Sequence, residues 1–421
     1  MDRKIIIQKC NFNNIYFLLF FLSAIFFEII QLDYYLKDWE SDSENYKKYI
    51  LPYQILILYI SNISDFIVII PLFMKNKILD KKNSIENKNV NDEPNKTNEI
   101  TELIYNNTDE IESKKRKKTV ILFSFLVSLF NFLTEFMPIL FYMIFINSDY
   151  DTYDFSFEVP FQIISQYIAD YLILKIYFFK LQYFSLFLTL IIFIIILIID
   201  IINIFLYNSF DSKIFLFYPF QLIFYSLEYS FGKKVMLNGY ISIYTLFVIK
   251  GIIKLIFTIL FSTILIIKDI NILAQLDFFF SETKYIFLII GNIIIEFLRN
   301  LFFWIIIDRF NPNYTPLAII LEGISCLIAE FIHGNKYTSI RWDEPFRIFL
   351  HIILFIVVLI HNEIIIINIC GLASETKYFL DLKVKNEEQF SDSNNIDVIK
   401  RYETINEMDS ISDGQEEVAN I

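Results

Sequence analysis

Apolar residues along this chain fall into ten long runs separated by polar intervals, at about 15–32, 50–74, 119–146, 159–178, 182–207, 214–231, 239–267, 284–307, 314–333 and 346–370. A helix needs roughly 20 apolar residues to cross the hydrocarbon core of a bilayer. Each run is of that order, and Leu186 to Ile199 is an almost unbroken stretch of Ile, Leu and Phe. The pattern predicts an all-α polytopic membrane protein with about ten transmembrane helices. Cys10 lies just before the first run, where a free thiol is expected. That run is long and lacks a small-x-small cleavage site, so it reads as an uncleaved first span.

The polar intervals divide the chain. Residues 1–14 form an N-terminal segment, 15–207 a first five-helix unit, 208–370 a second, and 371–421 an acidic tail. Within the first unit, 76–118 is rich in Asn, Lys, Glu and Asp and is expected to be a disordered loop. Ser391, Ser393, Ser410 and Ser412 in the tail are candidate phosphorylation sites. Lys and Arg favour the cytoplasmic side of short loops. With the N-terminus inside, 23 of the 36 Lys and Arg fall in inner segments. They include the run Lys114–Lys118, which fixes topology and can meet anionic lipid. The outer interval 147–158 has none. Both termini are therefore expected in the cytoplasm, of a plasma membrane or endomembrane protein.

Composition agrees with the hydropathy pattern. The chain is 55% hydrophobic with a mean hydropathy of +0.49, which excludes a soluble domain of 421 residues. Net charge is −12 and the acids sit in outer loops, spans and tail, so no nucleic-acid partner is implied. Cys10, Cys326 and Cys370 form neither a disulfide framework nor a metal set.

The runs contain an internal match. Asn131, Glu135, Phe136, Leu140 and Phe141 align with Asn292, Glu296, Phe297, Leu301 and Phe302. Ser165, Ala169 and Asp170 align with Ser325, Ala329 and Glu330. Helices three and four thus match helices eight and nine. Five spans separate each pair, an odd number, so the second copy would be inverted. A 5+5 inverted repeat of this kind suits alternating access in secondary transporters. The ten-span, five-plus-five plan is similar to that of drug/metabolite transporters. The likeness is one of architecture and assigns no residue a role.

Candidate chemistry follows the repeat. Gln162, Gln166 and Asp170 lie four residues apart on one face of the fourth helix; Glu322, Cys326 and Glu330 do so in the ninth. Asn131 and Glu135 share a face, as do Asn292 and Glu296. Lys250 and Lys254 stand one turn apart in the seventh helix and are natural counter-charges. A charge facing lipid costs a few kcal/mol or more, so these faces should point into the bundle. The expected solute or ion route comprises Asn131, Glu135, Gln162, Gln166, Asp170, Lys250, Lys254, Asn292, Glu296, Glu322 and Glu330, in a cavity between helices three, four, seven, eight and nine. Glu28 and Glu228 lie near the ends of their runs and read as interfacial.

No enzyme pattern is present: no P-loop, no H-E-x-x-H, no G-x-S-x-G. His351, His361 and Glu363 are too weakly phased for a metal set and read as packing residues. Gly371 is expected to cap the last helix. The expectation is a proton- or cation-coupled transporter of a small solute, without cofactor or metal. A receptor or scaffold acting through its tail and a membrane-embedded transferase are the alternatives. Asn95, Asn106 and Asn313 begin glycosylation sequons that this topology places inside. Expressed in a glycosylating host, none is expected to carry glycan by mobility shift and mass spectrometry; glycan on any would refute the topology.

Overall fold

The computed structural model describes residues 5–7, 15–36, 43–69, 99–145, 157–176, 178–207, 214–239, 241–267, 283–310, 314–332, 344–367, 372–376 and 379–380. They are almost entirely helical. In chain order the elements are β1 (Ile5–Ile7), α1 (Ile15–Leu36), α2 (Ser43–Ile67), α3 (Glu99–Phe145), α4 (Glu158–Ala169), α5 (Lys180–Tyr207), α6 (Ile214–Gly239), α7 (Ile243–Ile267), α8 (Thr283–Arg309), α9 (Thr315–Ile332), α10 (Glu344–His361) and β2 (Ile365–Ile367). Among the described residues, four helices are long and apolar enough to cross a membrane: Lys117–Leu140, Lys180–Asn203, Ile243–Leu265 and Ile286–Arg309. Shorter apolar helices cover Ile15–Ile30, Ile55–Ile67, Thr315–Cys326 and Pro345–His361.

Polarity is distributed as a bilayer demands. Outward faces carry large apolar side chains, such as Phe187, Ile194 and Ile198 on α5, Ile252, Ile256 and Ile259 on α7, and Phe349, Ile352 and Ile356 on α10. Exposed apolar area on this scale marks a surface built for lipid or a partner. Inward faces carry Asn62, Asp65, Lys254 and Asn203, each at most 1% exposed. Several small hydroxyls are satisfied within their own helices. Ser128 donates to Ser124 O, Thr134 to Phe130 O and Thr189 to Ser185 O. These bonds remove the cost of a hydroxyl in an apolar medium.

The helices pair in a regular scheme. α3 packs on α6 and α7, α1 on α8 and α9, α2 on α7 and α8, α4 on α6 and α9, and α5 on α10. Side-chain contacts give the directions. Phe123 and Phe130 stack along Phe231 and Phe224, so α3 and α6 run antiparallel. Phe20 meets Phe303 and Phe27 meets Arg299, so α1 and α8 do the same. Ser226 and Ser230 reach Gln162 and Gln166, so α4 and α6 are parallel. Close approach of α6 to α8 depends on Gly232, where a Cβ would collide with the Trp304 ring.

Three elements depart from the hydropathy pattern. α3 begins at Glu99, so residues 99–118 are helical rather than a loop. The sequence there spaces Glu110 and Glu112 four residues before Lys114 and Arg116, an arrangement that supports a helix. α4 ends in a π-helical turn, Asp170–Leu174, and Lys175 at φ 60° breaks it. The last run is not one helix. α10 stops at His361, Glu363 turns at φ 57°, and Ile365–Ile367 pairs antiparallel with Ile5–Ile7. A run of β-branched Ile suits an extended strand. Gly371, expected as the cap, lies outside the described residues. The strand pairing brings the start of the chain and the exit of α10 to the same end of the bundle.

Candidate functional site: a charged cavity between the helices

The site grows from a polar seam between α2 and α7. On α7, Lys250, Lys254, Thr258 and Ser262 repeat every four residues and so share one face. On α2, Tyr59, Asn62 and Asp65 oppose them. Tyr59 Oη is 2.6 Å from Ser262 Oγ, and Asn62 Nδ2 donates to Thr258 Oγ1 at 2.9 Å. Asp65 Oδ2 lies 2.9 Å from Lys254 Nζ, and Asp65 Oδ1 lies 3.3 Å from Lys250 Nζ. Asp65 and Lys254 are fully buried. Gly251 lets the backbones close; a Cβ there would stand 3.2 Å from Asp65 Cβ.

From this seam the charges spread to α3 and α6. Lys254 Nζ also bonds Glu135 Oε1 at 3.1 Å and Ser61 Oγ at 2.7 Å, and Ser61 donates to Glu135 Oε1 at 2.6 Å. Lys250 Nζ is 3.8 Å from Glu228 Oε1, while Asn131 Nδ2 donates to Glu228 Oε2 at 3.0 Å. Arg299 on α8 pairs with Glu322 on α9 at 2.9 Å and stacks over the Phe27 ring at 4.0 Å.

These groups surround a cavity of about 180 Å³. α3 contributes Asn131 and Glu135, α6 contributes Tyr225, Glu228 and Tyr229, and α7 contributes Lys250. From α8 come Glu296, Arg299, Asn300, Phe303 and Trp304, and from α9 Glu322. Phe20 and Phe27 of α1 and Ile57 and Ser61 of α2 complete the wall. The cavity thus draws on α1, α2 and α6, which the hydropathy pattern did not single out, and takes nothing from α4.

Of the residues expected along a route, Asn131, Glu135, Lys250, Glu296 and Glu322 meet at this cavity, with Lys254 bonded at its edge. Gln166 and Asp170 do not. Asp170 Oδ1 accepts from Gln166 Nε2 at 2.8 Å and from Ser230 Oγ at 2.6 Å, in a separate buried cluster on α6. Gln162 is half-buried beside it, its carbonyl facing Ser226. Asn292 is buried outside the cavity wall. Glu330 lies on α9, and its side chain is outside the described residues. Glu228, expected at the interface, is instead 1% exposed inside the bundle. α6 continues past it to Gly239, because Lys233 and Lys234 are held against neighbouring helix ends. Lys233 Nζ donates to Asp308 O at 2.6 Å and Lys234 Nζ to Ile173 O at 2.7 Å.

Asp65, Ser61 and Arg299 join the site without having been candidates. Their signal was present: each is polar within an apolar run. Elsewhere, Arg347 pairs with Asp200, joining α10 to α5. His361 stacks on Tyr167 with centroids 4.0 Å apart and meets Ser185 Oγ at 2.8 Å, while His351 bonds Arg347 O. Among the described residues no group of His, Cys, Asp and Glu is arranged to hold a metal.

No protein-family model, curated protein or solved structure matches this chain. The geometry therefore stands on its own chemistry. Removing one partner of a buried ion pair strands the other and costs about 3–5 kcal/mol. Asp65→Asn is expected to lower stability in detergent by an amount of that order, as is Lys254→Met. The double variant Asp65→Asn/Lys254→Met should cost much less than the sum of the two in a double-mutant cycle read by thermal unfolding. Additive losses would show that the two do not act as a pair.

Proposed function

We propose that this chain is a ten-span integral membrane protein built as two five-helix repeats of opposite orientation, and that it is a proton- or cation-coupled secondary transporter of a small solute. The observation that carries the reading is the charged cavity shared between the halves. Helices α1, α2 and α3 line it from the first half, and α6, α7, α8 and α9 from the second. A buried set of carboxylates and bases around a cavity is the usual mark of an ion or solute route in a membrane.

The helix pairing supports the repeat. Exchanging α1–α5 with α6–α10 turns α3 on α6 into α8 on α1, α4 on α6 into α9 on α1, and α3 on α7 into α8 on α2. The pairs α2 with α7, α4 with α9 and α5 with α10 map onto themselves. The antiparallel pairing of α3 with α6 is mirrored by that of α1 with α8. These directions fit a chain that crosses the bilayer alternately ten times. β1 paired with β2 fits an even number of crossings, with both termini on one side; the Lys and Arg distribution assigns that side to the cytoplasm of a plasma membrane or endomembrane.

Glu135 and Glu296 occupy matched positions in the two repeats and both face the cavity. In the transport cycle they carry the coupling proton or cation, with Lys250, Lys254 and Arg299 as fixed counter-charges. Alternating access follows from the two halves exchanging conformations around this centre. The test is gradient-driven uptake from a metabolite mixture into proteoliposomes, read by mass spectrometry. Glu135→Gln and Glu296→Gln are each expected to abolish accumulation while expression and folding persist. Undiminished accumulation in both variants would contradict the assignment.

A further inference from the structure

The cavity gathers more acids than bases. Glu296 is 5% exposed, lines the wall, and has an Oε2 with no hydrogen-bond partner among the described residues. The bases near it are shared with other acids. Lys254 serves Asp65 and Glu135, Lys250 serves Asp65 and Glu228, and Arg299 serves Glu322. Glu135 lines the same cavity, and its Oε2 is also buried without a hydrogen-bond partner among the described residues. Ser61 donates to Glu135 at 2.6 Å and also faces Glu296, so the two carboxyl groups share one corner. Acids outnumber bases here, and a buried carboxylate calls for a partner that donates hydrogen bonds or carries positive charge.

The remaining wall says which kind of cation. Phe20, Phe27, Tyr225, Tyr229, Phe303 and Trp304 line the same space. Ring faces attract cations and also cover alkyl carbon. The protein already uses its own rings in this way: Arg299 over Phe27 at 4.0 Å, and Lys250 at 5.8 Å from the Trp304 centroid. A bare metal ion needs a shell of several converging oxygen ligands instead, and among the described residues no group of His, Cys, Asp and Glu is arranged to hold one. The volume, about 180 Å³, holds about six waters at about 30 Å³ each. That suits a compact ligand, below drug size.

We infer that the cavity binds a small organic ammonium ion. Its N–H groups donate to the carboxyl groups of Glu296 and Glu135, and its alkyl part lies against Tyr229, Phe303 and Trp304. The inference deepens the transport reading and rests on it for the ligand's role as cargo, though binding itself can be measured without transport.

The test uses the full-length protein in detergent and isothermal titration with three probes of one size: n-propylammonium, 1-propanol and propionate. Propylammonium is expected to bind saturably and at least about tenfold more tightly than either analogue, the margin that charge pairing and ring contact supply together. Glu296→Gln should weaken it by about tenfold, with Glu296→Asp retaining part of the affinity. Equal or tighter binding of propanol or propionate, no saturable binding of propylammonium, or an unchanged affinity in Glu296→Gln would each overturn the inference. If the variant does not fold, the three-probe comparison on the unaltered protein decides. Labelled propylammonium in proteoliposomes separates the two readings. Binding without uptake keeps this site and removes transport. Gradient-driven uptake of another solute by a protein that ignores propylammonium does the reverse.

Discussion

The contact between Asp65 and Lys254, 2.9 Å apart and sealed between α2 and α7, is the constraint from which the rest of the interior follows. Neither charge is tolerable alone in that setting. Once they are paired, Lys250, Thr258 and Ser262 on the same face of α7 are committed to α2 as well. The seam fixes how α7 is rotated, and that rotation turns Ile252, Ile256 and Ile259 outward. It also brings Lys254 to Glu135 and Lys250 to Glu228, so α3 and α6 are drawn to the same centre. Apolar packing between Ile and Phe surfaces specifies little about register in a lipid-like medium, because lipid tails are as apolar as Leu. Polar pairing supplies the register here.

A cavity then follows from an imbalance. Carboxylates gather from α2, α3, α6, α8 and α9, and the described bases around them are Lys250, Lys254 and Arg299. Glu296 and Glu135 each keep an oxygen without a hydrogen-bond partner among the described residues. Aromatic side chains on α1, α6 and α8 hold the walls apart. The second cluster, Asp170 with Gln166 and Ser230, is joined by its own hydrogen bonds and packs beside α6 instead of opening onto the cavity. Lys233 and Lys234 reinforce one end of α6 by donating to neighbouring carbonyls, one on α8 and one at the π-helical turn after α4. Cations near helix C-termini are favoured by the dipole as well as by the hydrogen bond.

Much of this was legible in the sequence, and the part that was not has a common cause. Hydropathy conveys depth along a helix but not rotation about it. Glu135, Glu296, Lys250 and Lys254 stood out because each sits mid-run, where only a buried polar face explains it. Asp170 stood out equally and belongs to a different cluster, since depth alone cannot say which neighbour a face will meet. Glu228 was misread for a related reason. Lys233 and Lys234 look like the end of a span, yet Lys233 is buried and Lys234 half-buried, both bonded to neighbouring carbonyls, and the helix continues to Gly239. The strand at Ile365–Ile367 was hidden because Ile is as apolar in a strand as in a helix. Helix α3 reaches back to Glu99 through a stretch whose polarity resembles a loop and whose charge spacing is helical.

The central claim is that these charges line a space that water and solute enter, and are not a dry ionic knot. Asn300, on the cavity wall, reports on this when replaced by Cys in a chain whose Cys10, Cys326 and Cys370 are Ser. With the protein in proteoliposomes, a small membrane-impermeant thiol reagent is added to one face and then, in a separate sample, to the other. The account predicts labelling of position 300 that propylammonium slows, from a face that changes when the ion gradient is reversed. Failure to label from either face would contradict it.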